Sequence, residues 1–133
     1  YGADIVLVGG EETSGLSEKV ISSMKGSAYD MTGNLLVGEL AELLRRARLF
    51  ISNDSGPVHV AVAVGTPVIS IFGRKDPGLS PKRWGPLGGA DRVIHKDAGC
   101  EECLAHECDK GFKCLAAVTS GDVMQEADGL LGS

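Results

Sequence analysis

The tripeptide Asp54-Ser55-Gly56 has the residue types of a phosphate-binding turn. It follows an apolar run at residues 49–52, which predicts a buried strand. Pro57 comes next and suits the first position of a helix, where its absent N–H group costs nothing. A glycine at this point leaves the backbone N–H groups of a helix N-terminus open to an anion, which the helix dipole attracts. The sequence therefore predicts an anion site at this turn.

A short helix and a second strand are predicted to position the turn. Asp54 or Ser55 is expected to cap the helix with its side chain. Gly65 is expected to end the helix in a left-handed conformation, and Pro67 prevents its continuation. The β-branched run at residues 68–72 predicts another buried strand. The unit is therefore a strand, a tight turn, one short helix and a strand.

Two further loops follow predicted strands. Gly9-Gly10 and Glu12 come after an apolar run at residues 4–8, and Gly73-Arg74-Lys75 comes after the strand at residues 68–72. Ligands of open α/β sheets bind where such loops meet, outside the carboxyl ends of the strands. We therefore expect both loops to converge with the first turn.

Each candidate residue also has a plainer interpretation. Glu12 suits a solvated carboxylate, and Asp54 suits an ordinary helix cap. His59 suits a core histidine whose ring bonds to backbone. Basic loop residues that could neutralise a diphosphate could equally be solvated; they are Lys75, Lys82 and Arg83.

Four cysteines follow the pattern C-x2-C-x4-C-x5-C within a cysteine-rich insertion at residues 98–114; they are Cys100, Cys103, Cys108 and Cys114. His95 and His106 lie nearby in the sequence. The spacing is similar to that of a zinc knuckle, in which thiolates hold a structural metal. Free thiols and disulfides remain alternatives, and disulfides are disfavoured in a cytosolic protein.

The other elements alternate along the chain. Apolar residues at helical spacing predict helices within residues 16–25, 36–47 and 119–131, and short strands are expected at 29–31 and 92–94. Alternating strands and helices predict an α/β fold with a parallel sheet, built as one domain over residues 1–133. The net charge of −5 argues against a nucleic-acid partner, because phosphate contacts need a basic face.

The segment DSGPVHVAVAVGTPVISIFG at residues 54–73, followed by Asp76-Pro77 and Pro81, resembles the signature of the ADP-heptose:lipopolysaccharide heptosyltransferases. These enzymes form glycosyltransferase family 9 and have the two-domain GT-B fold. The resemblance covers nearly the whole chain and implies a Rossmann-like C-terminal half that binds the nucleotide sugar. One position departs from the family pattern: Lys75 stands where many members have threonine.

The resemblance also implies roles for the candidate residues. The backbone of Ser55 and Gly56 would meet the pyrophosphate, and Asp54 would orient the turn or accept a hydroxyl of the donor sugar. His59 would return toward the phosphates. An acidic residue after the first glycine loop contacts the ribose in the family, and Glu12 is the match here.

For the whole enzyme, the resemblance implies inverting transfer of heptose from ADP-heptose to the lipopolysaccharide inner core, with no metal cofactor. The chain begins at Tyr1 and suits a fragment, so we expect the catalytic base and the acceptor site in an N-terminal half outside it. No catalytic residue is then expected within these 133 residues, which alone should be inactive. The expected location is the cytoplasm, and peripheral contact with the inner face of the bacterial inner membrane is compatible with it.

Two alternatives stay open at this point. The first is another GT-B transferase, or an epimerase of that architecture, that uses a different nucleotide sugar. The second is an interaction module in which the cysteines form a metal knuckle on an α/β scaffold. A module of that kind should ignore ADP.

Overall fold

The computed structural model describes residues 1–76, 78–101, 103 and 107–132. Pro77 and His106 therefore lie outside the described residues. The chain divides into two compact units, Tyr1–Leu40 and Ala41–Ser133. The single domain predicted over residues 1–133 stays a prediction.

The first unit contains two short parallel strands and one helix. Strand β1 (Val6–Leu7) pairs with β2 (Tyr29–Asp30), and a 3-10 turn at Glu11–Thr13 leads into helix α1 (Ser14–Ser23). The buried Ser17 hydroxyl donates to the Asp30 carboxylate at 2.6 Å, which ties the helix to the end of β2.

Helix α2 (Val37–Arg46) crosses the boundary between the two units. The Glu39 carboxylate accepts a hydrogen bond from the backbone N–H of Leu36 at 2.7 Å, which satisfies one donor at the start of the helix. At its other end, Arg45 and Arg46 both pair with Glu42. Basic residues in the last turn agree with the helix dipole. The predicted second helix is confirmed.

The second unit is built on a three-stranded parallel sheet in the order β3 (Phe50–Asn53), β4 (Val68–Phe72) and β5 (Arg92–His95). In the register, Asn53 lies beside Ile71 and Ile71 lies beside Ile94. Central strands of parallel sheets are covered on both faces and are therefore apolar. Strand β4 fits this rule because Val68, Ile69 and Phe72 are fully buried.

Helices cover this sheet. Helix α3 (Gly56–Ala63) packs against β3 and β4 and buries Val58 and Ala61. Helix α6 (Ser120–Leu131) packs against β4 and β5, where Ala127 joins a core cluster with Ile69 and Ile94. Two single-turn helices, α4 (Pro81–Trp84) and α5 (Lys113–Ala116), lie between β4 and α6 along the chain.

Several local predictions are confirmed. Gly65 follows α3 with a left-handed φ of 81°, which stops the helix as predicted. Thr119 and Asp122 form a reciprocal capping box at the start of α6. The fold class is confirmed as α/β with parallel strands and flanking helices.

The strands of the described residues form two hydrogen-bonded parallel sheets. Strands β1 and β2 have two residues each, so they share only a short ladder. In the part of the chain that the structure describes, no helix combines the length and apolar composition that crossing a membrane requires.

Candidate functional site

The loops after β3 and β4 meet through an ion pair. The Asp54 carboxylate lies 2.9 Å from a terminal nitrogen of the Arg74 guanidinium. Both side chains are partly buried, at 18% and 27% exposure. The backbone N–H of Asp54 also donates to the carbonyl of Ile71 at 3.1 Å, which extends the sheet pairing into the turn. The turn before α3 is therefore fixed to the end of β4.

The sequence placed Arg74 in the converging loop Gly73-Arg74-Lys75 but gave it no partner. The register of β3 against β4 explains why Arg74 lies near Asp54. Asn53 is paired with Ile71, so Asp54 lies level with Phe72. Arg74 lies two residues beyond Phe72. Side chains two residues apart on a strand share a face. An acid and an arginine so placed are suited to pair.

The N-terminus of α3 has no side-chain cap. Ser55 occupies the capping position in an extended conformation, yet its hydroxyl makes no capping bond. That hydroxyl instead lies 2.9 Å from the hydroxyl of Ser52 on β3. The prediction that Asp54 or Ser55 caps the helix with its side chain is wrong, because Asp54 pairs with Arg74 and Ser55 with Ser52. The backbone N–H groups of the first turn are thus not bonded by a capping side chain.

Gly56 opens α3 and is exposed. A Cβ atom built at Gly56 would meet no atom within 4 Å, so the absence of a side chain leaves open space beside the turn. Backbone N–H groups that face open space at a helix N-terminus suit an anion. Pro57 is the second residue of α3, one position after the predicted first.

His59 lies one turn further along α3 and its side chain is exposed, so the interpretation as a core histidine is wrong. Its ring meets the ring of Trp84 edge-on, with centroids 6.3 Å apart. The Trp84 indole N–H donates to the carbonyl of Gly78 at 2.9 Å, and the Arg83 guanidinium lies 5.4 Å from the Trp84 ring centre. The sequence did not single out Trp84, although a tryptophan beside two basic residues was visible in it.

Lys75 extends toward β5. Its ammonium lies 3.5 Å from the Asp97 carboxylate. The pKa of Asp97 is held below its usual value, first by the backbone N–H of Gly99 and then by the charge of Lys75. A contact between Lys75 and a diphosphate stays a prediction.

Gly9, Gly10 and Glu12 belong to the first unit. The Thr13 hydroxyl donates to the Gly10 carbonyl at 2.7 Å, and the Glu12 carboxylate folds back over Gly10. The predicted convergence of this loop with the Asp54 turn, and the ribose contact of Glu12, remain predictions.

The four cysteines line one pocket beyond the ends of β4 and β5, together with His95. All four thiols are free and partly buried, so none of them forms a disulfide in this structure. The Cys114 thiol donates to the Gly73 carbonyl at 3.0 Å. The pocket therefore adjoins the residue that precedes Arg74.

Comparisons with known proteins identify the family of this chain. The family model for glycosyltransferase family 9 (heptosyltransferase) matches residues 1–113. The chain is 36% identical over 103 residues to lipopolysaccharide heptosyltransferase 3 of Escherichia coli strain K12, a match covering 76% of this chain and 28% of that protein. It is 23% identical over 135 residues to lipopolysaccharide heptosyltransferase 2 of the same strain, covering 98% of this chain and 38% of the relative.

Solved structures match over almost the whole chain. The family 9 glycosyltransferase of Veillonella parvula superposes with a TM-score of 0.83 at 27% identity, covering 99% of this chain and 38% of that one. The E. coli ADP-heptose lps heptosyltransferase II superposes with a TM-score of 0.80 at 23% identity, covering 98% of this chain and 37% of that one. This chain thus spans well under half the length of these proteins. Because the family model matches residues 1–113 of the 133, the chain belongs to glycosyltransferase family 9, the heptosyltransferases.

Proposed function

We propose that this chain is the donor-binding part of a heptosyltransferase that takes ADP-heptose and acts on the lipopolysaccharide inner core. The observation that carries the proposal is the Asp54–Arg74 ion pair beside the N-terminus of α3. The solved relative named for ADP-heptose supports the choice of donor.

The start of α3 supplies donors for a pyrophosphate. The positive end of the helix dipole lies here, and Gly56 offers its N–H with no side chain to obstruct a phosphate, while Pro57 has no N–H and the Val58 N–H donates to the Ser55 carbonyl at 3.2 Å. The Ser55 hydroxyl can exchange its bond to Ser52 for one to a phosphate oxygen. When the sugar leaves the nucleotide, negative charge grows on the diphosphate, and fixed donors at that place lower the barrier.

Arg74 balances the charge of this site. An unpaired Asp54 carboxylate would repel a diphosphate bound next to it. The guanidinium neutralises that carboxylate and still has other N–H donors, because it carries five in a planar fork. We propose that Asp54 positions the turn and holds Arg74, while Arg74 also donates to the diphosphate. His59 is proposed to approach the same phosphates from the second turn of the helix, and Glu12 to contact the ribose.

The acceptor and the catalytic base are proposed to belong to another part of the whole protein. In this proposal Asp54 is committed to Arg74, and His59 to the phosphates, so neither serves as the base. Transfer needs no metal here, because Arg74 and the helix dipole supply the positive charge. The protein is proposed to act in the cytoplasm, with peripheral contact at the inner face of the bacterial inner membrane.

Amide chemical shifts recorded during an ADP titration of the whole protein test the proposal. We expect the largest shifts at residues 54–59 and 73–75, with weaker responses to UDP and GDP. A preference for UDP or GDP would favour a GT-B relative with another donor. Indifference to all three nucleotides would favour the interaction module and overturn the proposal.

A further inference from the structure

The cysteine pocket contains five candidate metal ligands, and its hydrogen bonds assign them different roles. The four cysteines and His95 line the pocket at the carboxyl ends of β4 and β5. Neutral imidazole and thiolate are the ligands that zinc prefers. A tetrahedral zinc site takes four of them, so one of the five must stay outside.

Cys114 is the ligand that the structure sets apart. Its sulfur lies 3.0 Å from the Gly73 carbonyl oxygen and donates to it. A carbonyl only accepts, so Cys114 makes this bond only while it keeps its proton. A metal-bound thiolate would have to give the bond up. Cys114 therefore acts as a structural thiol that joins α5 to the end of β4.

Cys108 has the opposite role. Its sulfur accepts a hydrogen bond from the backbone N–H of Phe112 at 3.4 Å. The sulfur is the acceptor in this bond, so Cys108 can keep the bond as a metal-bound thiolate, whereas Cys114 cannot keep its own.

His95 already has the tautomer of a metal ligand. Its Nδ1 lies 3.0 Å from the Phe72 carbonyl oxygen. Because that oxygen only accepts, Nδ1 carries the hydrogen, and a neutral ring then has its lone pair on Nε2. Metal-binding histidines commonly donate their second ring N–H to a backbone carbonyl in this way.

We propose that Cys100, Cys103, Cys108 and His95 bind one Zn²⁺ through three thiolates and Nε2, with Cys114 outside the coordination sphere. The C-x2-C spacing of the first two cysteines is that of a zinc knuckle. Each of the three thiols releases its proton to solvent as its sulfur bonds to the metal. As the side chains stand, no three ligand-type residues in the described part of the chain are placed to hold a metal, so binding requires Cys100 and Cys103 to turn toward Cys108 and His95.

The pocket also supplies compensating charge. Three thiolates and one Zn²⁺ carry a net charge of −1, and the pocket lining holds one more basic than acidic residue: Lys75, Lys96 and Lys110 against Asp97 and Asp109. The pocket shares Gly73 and Lys75 with the predicted donor region, but metal binding does not depend on the donor. The metal site can affect the donor contacts only through the chain, because the pocket adjoins Gly73, and the next residue, Arg74, pairs with Asp54.

Metal content of the untagged whole protein tests this proposal. We expect one zinc per chain in the wild type and in Cys114→Ser, and loss of most of it in Cys108→Ser and His95→Gln. The absorption of the Co²⁺-substituted protein should show three thiolates in the coordination sphere. Loss of zinc in Cys114→Ser with retention in His95→Gln would assign four cysteines instead and overturn the proposal.

A second measurement avoids variants that fail to fold. Thiols of the wild type are counted with a thiol reagent before and after a chelator removes the metal. We expect three further thiols to become reactive on metal removal. A metal-free protein as purified overturns the proposal, whether its thiols are all reactive or are paired until a reductant is added.

Discussion

The Asp54 carboxylate and the Arg74 guanidinium, 2.9 Å apart, join the turn before α3 to the loop after β4. If Arg74 also donates to the diphosphate, Arg74→Gln should weaken ADP binding by ~10–100-fold, because hydrogen bonds to charged groups contribute ~1.5–3 kcal/mol. Isothermal titration of the whole protein measures this. Arg46→Gln is a matched control, since it breaks an exposed pair with Glu42 and should leave ADP affinity unchanged. Equal ADP affinities in the two variants would show that Arg74 does not contact the diphosphate.

Gly56→Val should impair binding far more than folding. The new side chain enters open space, where a Cβ atom meets nothing within 4 Å, but it obstructs a phosphate that approaches the backbone. We expect ADP affinity to fall by ~tenfold or more, or ~1.4 kcal/mol. Gly38→Val is the control, because Gly38 also lies in the first turn of a helix and is equally open. Similar losses of melting temperature, with loss of ADP binding only at Gly56, would support the prediction; retained ADP affinity in Gly56→Val would contradict it.

Ser70→Ala should leave the protein as stable or make it more stable. The Ser70 side chain is fully buried in β4, and its hydroxyl has no hydrogen-bond partner among the described residues. A buried polar group without a partner costs ~1–3 kcal/mol, and alanine removes that cost with little change in volume. Urea unfolding gives the free energy of unfolding for both proteins. A clear loss of stability in the variant would reveal a partner for the hydroxyl.

Acid should weaken the attachment of α6 through Asp122. Lys96, followed by the backbone and hydroxyl of Thr119, lowers the pKa of Asp122 to about 2. The folded protein thus holds this proton less tightly than the unfolded chain, whose ordinary value is 3.8. The contribution to stability is present above pH 3.8 and is lost as pH falls through about 2. Urea midpoints measured across that range should fall more steeply in the wild type than in Asp122→Asn. Parallel curves would show that Asp122 is not responsible.

Local sequence signals predicted the elements better than the contacts between them. Pro57 and Gly65 fix where α3 begins and ends through their own backbone restrictions; Gly65 ends it as predicted, and α3 begins one residue before Pro57. The partner of Asp54 depends instead on the register of β3 against β4, which no short window contains. Ser55 shows the same limit. Its residue type favours capping α3, but its hydroxyl instead hydrogen-bonds to the hydroxyl of Ser52 on β3.

The cysteine spacing predicted a cluster, and the structure brings all four cysteines to one pocket. The spacing alone could not separate their roles. Their roles are separated by two backbone carbonyls at the end of β4. The Phe72 carbonyl bonds to His95, 23 residues away, and the Gly73 carbonyl bonds to Cys114, 41 residues away.

The chain alone should transfer no sugar to an acceptor. The proposed site on α3 binds only the donor, and catalysis also needs an acceptor hydroxyl and its base held at attack distance. That positioning contributes ~7–11 kcal/mol, which a domain holding only the donor forgoes. We expect at most slow release of ADP from ADP-heptose, unaffected by a lipopolysaccharide acceptor. The assay compares ADP release by the chain and by the whole protein, each with and without acceptor, after circular dichroism confirms that the chain is folded. Acceptor-dependent release by the chain at a rate near that of the whole protein would place the base within these 133 residues.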